Sequence, residues 1–313
     1  MASQRDVRNK IASVKNIQKI TRAMEMVAGA RLRRAEQRIE ALRPYAEGLR
    51  RMTRQAARAA GANAAQVPLL SEHESESNVA LLLVTGDRGL AGGFNSQIIR
   101  AGARIASELA EQGRNTLWYA SGRRGVSSVS FRGNELAGSY TGFADRPAYA
   151  DARTIADDLI QAYIDGSLDR VEIVYNAYIS PLTQRVTRET LLPISRATIA
   201  GEQGDDAADA PTGASAAPSA GEAPDGPRAL VSYEPEPEAI LKRLVPDYVE
   251  VSIYRALVES TAGFFGAQMT AMRSASDNAG EIITDLTLQM NRARQAEITQ
   301  EIMEVVAGSE GIS

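Results

Sequence analysis

A seven-residue apolar repeat near the C-terminal end constrains this chain more than any other feature. Apolar or small residues recur every seven positions in two companion rows: Val251, Val258, Phe265, Met272, Ala279, Leu286 and Ala293, and Ala262, Met269, Ser276, Ile283 and Met290. A repeat sustained over this length is typical of a coiled-coil helix. It predicts a helix from about Pro246 to Val306, a rod of roughly 90 Å at 1.5 Å per residue.

The N-terminal segment predicts a second long helix, from Ser3 to about Ala60. Its residues favour helix, and apolar side chains recur at steps of three and four: Val7, Ile11, Val14, Ile17, Ile20, Met24, Val27, Leu32, Ala35, Ile39 and Leu42. Pro44 removes one backbone hydrogen bond, which predicts a bend. Because an isolated projecting helix cannot bury its row of apolar side chains, we expect the two terminal helices to pack as an antiparallel coiled coil. For residues 3–60 the alternative to one long helix is two ordinary helices in a bundle.

Between the two helices the pattern changes to alternating strands and helices, which predicts a compact, Rossmann-like α/β domain. The expected strands are Asn78–Thr85, Thr116–Ala120, Arg170–Ile179 and Gln184–Leu192, and the expected helices are Asn95–Gln112 and Asp151–Ile164. The continuous apolar run of the first strand is typical of a parallel sheet buried on both faces.

The predicted division is therefore an N-terminal coiled-coil helix at 1–70, an α/β domain at 71–245 and a C-terminal coiled-coil helix at 246–313. Gly201–Arg228 is rich in Ala, Gly, Pro, Asp and Ser. Such a composition buries too little apolar surface to offset its ordering entropy, so this insertion is predicted to be disordered.

Charge is distributed very unevenly along the chain. The first 60 residues carry 15 Lys and Arg against 5 Asp and Glu, whereas the whole chain has a net charge of -4. This basic arm predicts an acidic partner, either nucleic acid or a protein surface. The sequence contains no Cys, which excludes disulfides and thiolate sites. It shows no apolar run of bilayer-spanning length and no apolar signal core, so we expect the chain to stay where it is made.

Few residues suggest catalysis. The turn Gly86–Gly93 follows a strand, where phosphate-binding loops form, but it has neither the GxxxxGK[ST] nor the GxGxxG spacing. Its glycines are therefore predicted to allow a tight turn and close helix packing. His73 is the only His and stands beside Glu72 and Glu74, which predicts a solvated loop residue. We predict no catalytic, cofactor-binding or metal-binding residues.

Six segments carry a resemblance to one family: Lys10–Ala28 (KIASVKNIQKITRAMEMVA), Arg43–Ala46 (RPYA), Thr85–Ser96 (TGDRGLAGGFNS), Tyr233–Pro237 (YEPEP), Asp277–Ala279 (DNA) and Asn291–Val306 (NRARQAEITQEIMEVV). These segments resemble the ATP synthase gamma subunits. Ala91 stands where the family commonly has Cys, and Gly263–Gln268 (GFFGAQ) replaces a more polar segment. Gly308–Ser309 stands where Gly-Ala is usual.

The resemblance implies a non-catalytic central-stalk rotor that couples rotation of the c-subunit ring to ATP synthesis or hydrolysis on the beta subunits. The implied partners are three alpha and three beta subunits, the epsilon subunit and the c ring, at the cytoplasmic face of a bacterial plasma membrane. The resemblance assigns Arg294, Gln295, Thr299 and Glu301 to contacts with a beta subunit. It assigns Tyr233 and Glu236 to the foot that meets the c ring and epsilon.

The resemblance also implies that the basic face of the first helix meets acidic segments of the beta subunits, above all through Arg33 and Arg34. The members of this face are Arg31, Arg33, Arg34, Arg38, Arg50, Arg51, Arg54 and Arg58. Two other classes stay open at this point: a coiled-coil scaffold or nucleic-acid-binding protein that uses the basic arm, and an enzyme that uses the Gly-rich turn. We also hypothesise that the insertion Gly201–Arg228 tunes ATP hydrolysis without a thiol switch.

Overall fold

The computed structural model describes residues 4–61, 67–73, 75–194 and 236–310. Its elements, in chain order, are α1 (Gln4–Ala60), a 3-10 turn (Pro68–Leu70), β1 (Asn78–Val84), α2 (Phe94–Glu111), β2 (Asn115–Ser121), α3 (Arg123–Phe131), β3 (Leu136–Tyr140), α4 (Tyr149–Ile164), β4 (Arg170–Tyr178), β5 (Gln184–Leu192) and α5 (Pro237–Glu310). The predicted insertion Gly201–Arg228 lies outside the described residues.

The central sheet has the strand order β3-β2-β1-β4-β5. Its strands are parallel except β5, which runs antiparallel to β4. β1 is buried from Val79 to Val84, since Ile155 and Leu159 of α4 belong to the core on one face and Ile98 of α2 to the core on the other. The predicted α/β domain and the doubly covered first strand are confirmed.

The two terminal helices pack against each other in antiparallel orientation. The Gln18 amide donates to the Ser276 carbonyl at 3.2 Å, and Arg273 Nε donates to Glu25 Oε1 at 2.9 Å. Extending this register equally in both directions puts Ala60 near the start of α5 and Gln4 near Ala293. The paired helices therefore run along the whole of α1, over roughly 85 Å.

The seam of α1 follows a strict heptad. Its ten buried residues all fall on two seven-residue rows: Val7, Thr21, Ala28, Ala35, Leu49 and Ala56, and Ile11, Leu32, Thr53 and Ala60. Ile17, Ile20 and Val27, which the sequence pattern assigned to the stripe, are instead about half exposed. Steps of three alone drift around the helix, and only alternating steps of three and four keep a seam facing its partner. We call these three exposed residues the off-seam stripe.

Two further features differ from the sequence-based expectation. α5 begins at Pro237, nine residues before the predicted start, and continues through Pro246. Leu241 and Val245 are fully buried in the α/β core, so tertiary packing overrides the tendency of Pro to end a helix. The elements α3 and β3 were not predicted, because both are short and their apolar residues are few.

One glycine allows the chain to pack closely against the carboxyl end of β1. Gly122 has φ 92° and ψ 139°, a combination that belongs to glycine, and a Cβ there would lie 2.1 Å from the Thr85 carbonyl oxygen. Gly113 also has a positive φ, 73°, but a Cβ there would meet nothing within 4 Å.

We predict that Gly122→Ala lowers the free energy of unfolding by at least about 3 kcal/mol, because a steric conflict adds to backbone strain. Gly113→Ala, the matched control, carries only the strain of about 1–2 kcal/mol. Urea unfolding of both variants measures the difference. Equal losses would contradict the close approach of Gly122 to Thr85.

Candidate functional site

The carboxyl edge of the sheet is where α/β proteins usually bind ligands, and here a carboxylate of the chain itself occupies it. Asp87 accepts hydrogen bonds from the backbone N–H groups of Arg123 at 3.0 Å, Gly142 at 3.1 Å and Ala144 at 3.2 Å. The Arg123 N–H lies at the start of α3, where a phosphate would bind. With an anionic side chain in this position, a second anion at these donors meets repulsion.

α5 covers the same edge. Phe264 packs edge-on against Phe94 with ring centroids 5.6 Å apart, and Thr261 Oγ1 donates to the Ala144 carbonyl at 2.9 Å. The cavity left between α5 and the edge holds about 10 Å³, which is close to the volume of one water probe. A Cβ at Gly86 would lie 2.9 Å from the Phe264 ring. Gly86 thus allows close packing of the turn against α5, as predicted.

Gly263–Gln268, the segment that differs from the family pattern, takes part in this packing. A Cβ at Gly266 would lie 3.0 Å from the Pro181 carbonyl oxygen, and one at Gly263 would lie 3.2 Å from the Phe94 ring. Phe265 is buried beneath the Arg31 guanidinium, whose carbon is 5.6 Å from the ring centroid. The segment therefore fixes the rod to its own α/β domain.

His73 is not the solvated loop residue that its sequence context predicted. Its Nδ1 lies 3.0 Å from Asp169 Oδ1, and its ring stacks on Tyr163 at 4.5 Å. The other Asp169 oxygen accepts the N–H groups of Ser77 and Asn78, both at 2.8 Å. The prediction was wrong because Asp169 and Tyr163 are far away in sequence. These contacts tie the segment before β1 to the sheet.

A buried carboxylate on β4 is also fully engaged. Glu172 is 2% exposed. Its carboxylate accepts two hydrogen bonds from the Arg188 guanidinium, at 2.7 and 2.9 Å. Arg170 lies 3.0 Å from the same carboxylate. The hydrogen bonds to Glu172 raise the pKa of Arg188 further above its usual value. Through these contacts with two guanidinium groups, Glu172 helps to hold β4 and β5 together.

The predicted partner-binding residues that the structure describes lie near the two ends of α5 and on the side of α1. Arg294, Gln295, Thr299 and Glu301 are exposed, beyond the point where α1 begins. Glu236 is exposed at the opposite end, where its carbonyl accepts the Ala239 and Ile240 N–H groups. Tyr233 lies outside the described residues. Glu236 is therefore separated from Arg294 by roughly the length of the rod, about 90 Å.

Arg33 and Arg34 are both exposed, but the structure separates them. Arg34 lines a pocket together with Arg31, Arg38 and Arg146, and Arg33 does not. Arg31 is used within the chain, since its Nη1 donates to Asp145 Oδ2 at 3.3 Å. The basic face is thus a set of arginines with different surroundings, which the sequence could not show because Asp145 and Arg146 come from a distant loop.

The fold and this surface define a class of protein, a two-helix shaft carried on a small α/β domain whose ligand cleft is closed. A family model described as ATP synthase matches residues 3–312. The chain is 41% identical to an ATP synthase gamma chain of Rubrobacter xylanophilus, an alignment that covers 100% of this chain and 99% of the relative. It therefore belongs to the family of ATP synthase gamma chains.

Solved structures agree with the fold. A chain in the Tetrahymena thermophila mitochondrial ATP synthase central stalk and c ring aligns with a TM-score of 0.57 at 22% identity, covering 82% of this chain and 99% of that one. One in the Euglena gracilis mitochondrial ATP synthase aligns with a TM-score of 0.64 at 14% identity, covering 99% and 94%. Within the described residues, no helix combines the length and the apolar character that crossing a bilayer requires.

We predict that stability depends on pH through Asp169. Burial alone raises the pKa of Asp169, but hydrogen bonds from the Asn78 N–H, the His73 ring and the Ser77 N–H hold it below its ordinary value. A lowered pKa means that ionised Asp169 stabilises the fold above about pH 4, and this contribution is lost as the pH falls through the folded-state pKa.

Asp169→Asn should therefore be less stable than the wild type at pH 7, with a difference that shrinks as the pH is lowered below about 4. Urea unfolding across a pH series measures it, and Asp165→Asn, at an exposed position on the same loop, serves as the control. A difference that is constant with pH would contradict the role of the Asp169 charge.

Proposed function

We propose that this chain is the central-stalk rotor (gamma) subunit of a proton-translocating F-type ATP synthase. It couples rotation of the c ring to ATP synthesis and hydrolysis on the beta subunits and performs no catalysis itself. The observation that carries the proposal is the antiparallel pair of terminal helices, which extends along all of α1 and leaves residues 294–310 of α5 beyond it. We call these residues the α5 tip.

The paired helices suit the transmission of torque. A single helix bends and twists easily. Two helices joined by a continuous seam resist both motions, because neither helix can deform without breaking its contacts with the other. The same α5 that forms the seam also enters both cores of the α/β domain, through Leu241 on one face and Phe264 on the other. Rotation of the domain is therefore passed to the rod without a hinge between them.

The exposed apolar side chains of the rod supply surfaces for partners. The off-seam stripe lies on α1, and Ile298, Ile302, Met303 and Val305 are exposed on the α5 tip. Grouped apolar exposure is a mark of interaction sites. Apolar contacts have no preferred direction, so a rod that turns inside a sleeve of alpha and beta subunits passes through successive positions without breaking specific bonds.

Polar residues provide the contacts that differ with angle. Arg294, Gln295, Thr299 and Glu301 on the α5 tip, together with Arg33 and Arg34 on α1, are proposed to bind beta subunits. Tyr233 and Glu236 are proposed to meet the c ring and epsilon. Because Thr299 Oγ1 already donates to the Gln295 carbonyl at 2.8 Å, its role toward a partner is that of an acceptor.

The complex to which the chain belongs is membrane-bound, and the chain is part of its peripheral head. We place it at the cytoplasmic face of a bacterial plasma membrane. A scaffold or nucleic-acid-binding role for the basic arm gains no support from membership of the gamma-chain family. Such a role predicts that the chain does not associate with alpha and beta subunits.

Co-expression with alpha and beta subunits tests the proposal. We expect one copy of this chain to copurify with three alpha and three beta subunits. Ile20→Glu with Val27→Glu should reduce the recovered complex at least tenfold, since two charges would enter an apolar contact. Phe131→Glu, at a position 92% exposed on α3, is the matched control and should leave recovery unchanged. Nucleic acid in place of both subunits in the purified material would refute the rotor assignment.

Substitution of Arg294 tests the polar contacts of the α5 tip. Arg294→Ala in the assembled, membrane-bound complex should lower the rate of proton-driven ATP synthesis at least tenfold, because one charge-assisted hydrogen bond contributes about 1.5–3 kcal/mol. Arg294→Lys keeps the charge and should retain part of the rate. Since Arg294 is exposed, both variants should fold normally. Wild-type rates for Arg294→Ala would remove this residue from the proposed contact.

A further inference from the structure

An open pocket of about 340 Å³ lies where the rod leaves the α/β domain. Three parts of the chain form it: one side of α1, the loop after β3, and α5. We call it the arginine pocket, after Arg31, Arg34 and Arg38 from α1 and Arg146 from the loop. Its volume is within the range of small-molecule sites, which begin near 300 Å³. Arg34 is predicted from the sequence to contact a beta subunit, but the sequence-based predictions include no small-molecule site in this concavity.

The lining of the pocket is strongly cationic. Four arginines face it, and Asp145 is the one carboxylate among the lining residues. That carboxylate is shared, because Arg31 Nη1 lies 3.3 Å and Arg88 Nε lies 3.7 Å from its Oδ2. Within the described residues, the guanidinium groups of Arg34, Arg38 and Arg146 have no ion-pair partner. The pocket therefore holds several positive charges that the chain itself does not neutralise.

The floor of the pocket keeps one of these donors in place. Phe265 and Ala35 are buried beneath it, and the Arg31 guanidinium stands over the Phe265 ring at 5.6 Å. Stacking on an aromatic ring and pairing with Asp145 restrict the rotamers of Arg31, so less entropy is lost when a ligand binds. The planar fork of a guanidinium matches two oxygens of a phosphate group.

We propose that the arginine pocket binds a multivalent phosphate anion of the pyrophosphate class, either free or as the diphosphate of a nucleotide. Like charges brought together from α1 and the loop after β3 repel one another, and an anion with several charges relieves that repulsion in one step. The concavity distinguishes this pocket from Arg33, which is exposed on the same helix but faces away from it. A protein surface rich in carboxylates would reach Arg33 as easily as Arg34.

Calorimetric titration of the full chain with pyrophosphate at low ionic strength tests the proposal. We expect saturable binding of one pyrophosphate per chain, weakened at least tenfold in the double variant Arg34→Gln with Arg146→Gln. Arg33→Gln is the matched control, with the same chemical change on the same helix, and should stay within twofold of the wild type. Thermal unfolding without anion should be alike for all three proteins, because these side chains are exposed.

Further titrations identify the source of the phosphate. Tighter binding of ADP than of pyrophosphate would assign the site to a nucleotide, and equal or weaker binding would assign it to the inorganic anion. Adenosine, which has no phosphate, should not bind. Equal weakening by Arg33→Gln and the double variant, binding that does not saturate, or binding of a poly-glutamate peptide in place of pyrophosphate would each overturn the proposal.

Discussion

The antiparallel seam between the two terminal helices is the interaction on which the rest of this structure depends. Neither α1 nor α5 could bury its apolar rows alone, because each is several times longer than the sheet is wide. Pairing along the whole of α1 solves this for both helices at once. Because α5 also enters both cores of the α/β domain, the seam joins the domain and the rod into one body, and the direction of the rod follows from the packing of the domain.

The same arrangement removes the ligand site that the fold would otherwise offer. A parallel sheet with a Gly-rich turn after its first strand normally leaves a crevice at its carboxyl edge. Here the Asp87 carboxylate binds the backbone donors, and Phe264 and Thr261 of α5 cover what remains. The fold alone would have suggested a nucleotide-binding enzyme, whereas the site shows a shaft with a closed cleft.

The tertiary structure determines which groups the charged side chains of α1 can contact. The sequence shows a basic arm, and the fold divides that arm into arginines with different surroundings. Arg31 pairs with Asp145 and stacks on Phe265, Arg34 and Arg38 face a concavity with Arg146, and Arg33 faces solvent. Acidic partners and small anions therefore have different parts of one basic helix available to them.

The sequence by itself determined the two long helices, their pairing and the α/β domain, because heptads and continuous apolar strands reflect local periodicity that is visible along the chain. It also contained the segments that resemble the gamma subunits. Only the tertiary structure decided which residues form the seam of α1 and where α5 begins. It also decided that His73 forms a hydrogen bond with Asp169. These outcomes depend on contacts between residues far apart in sequence, and burial at such contacts outweighs the local preferences of Pro246 or of an isolated His.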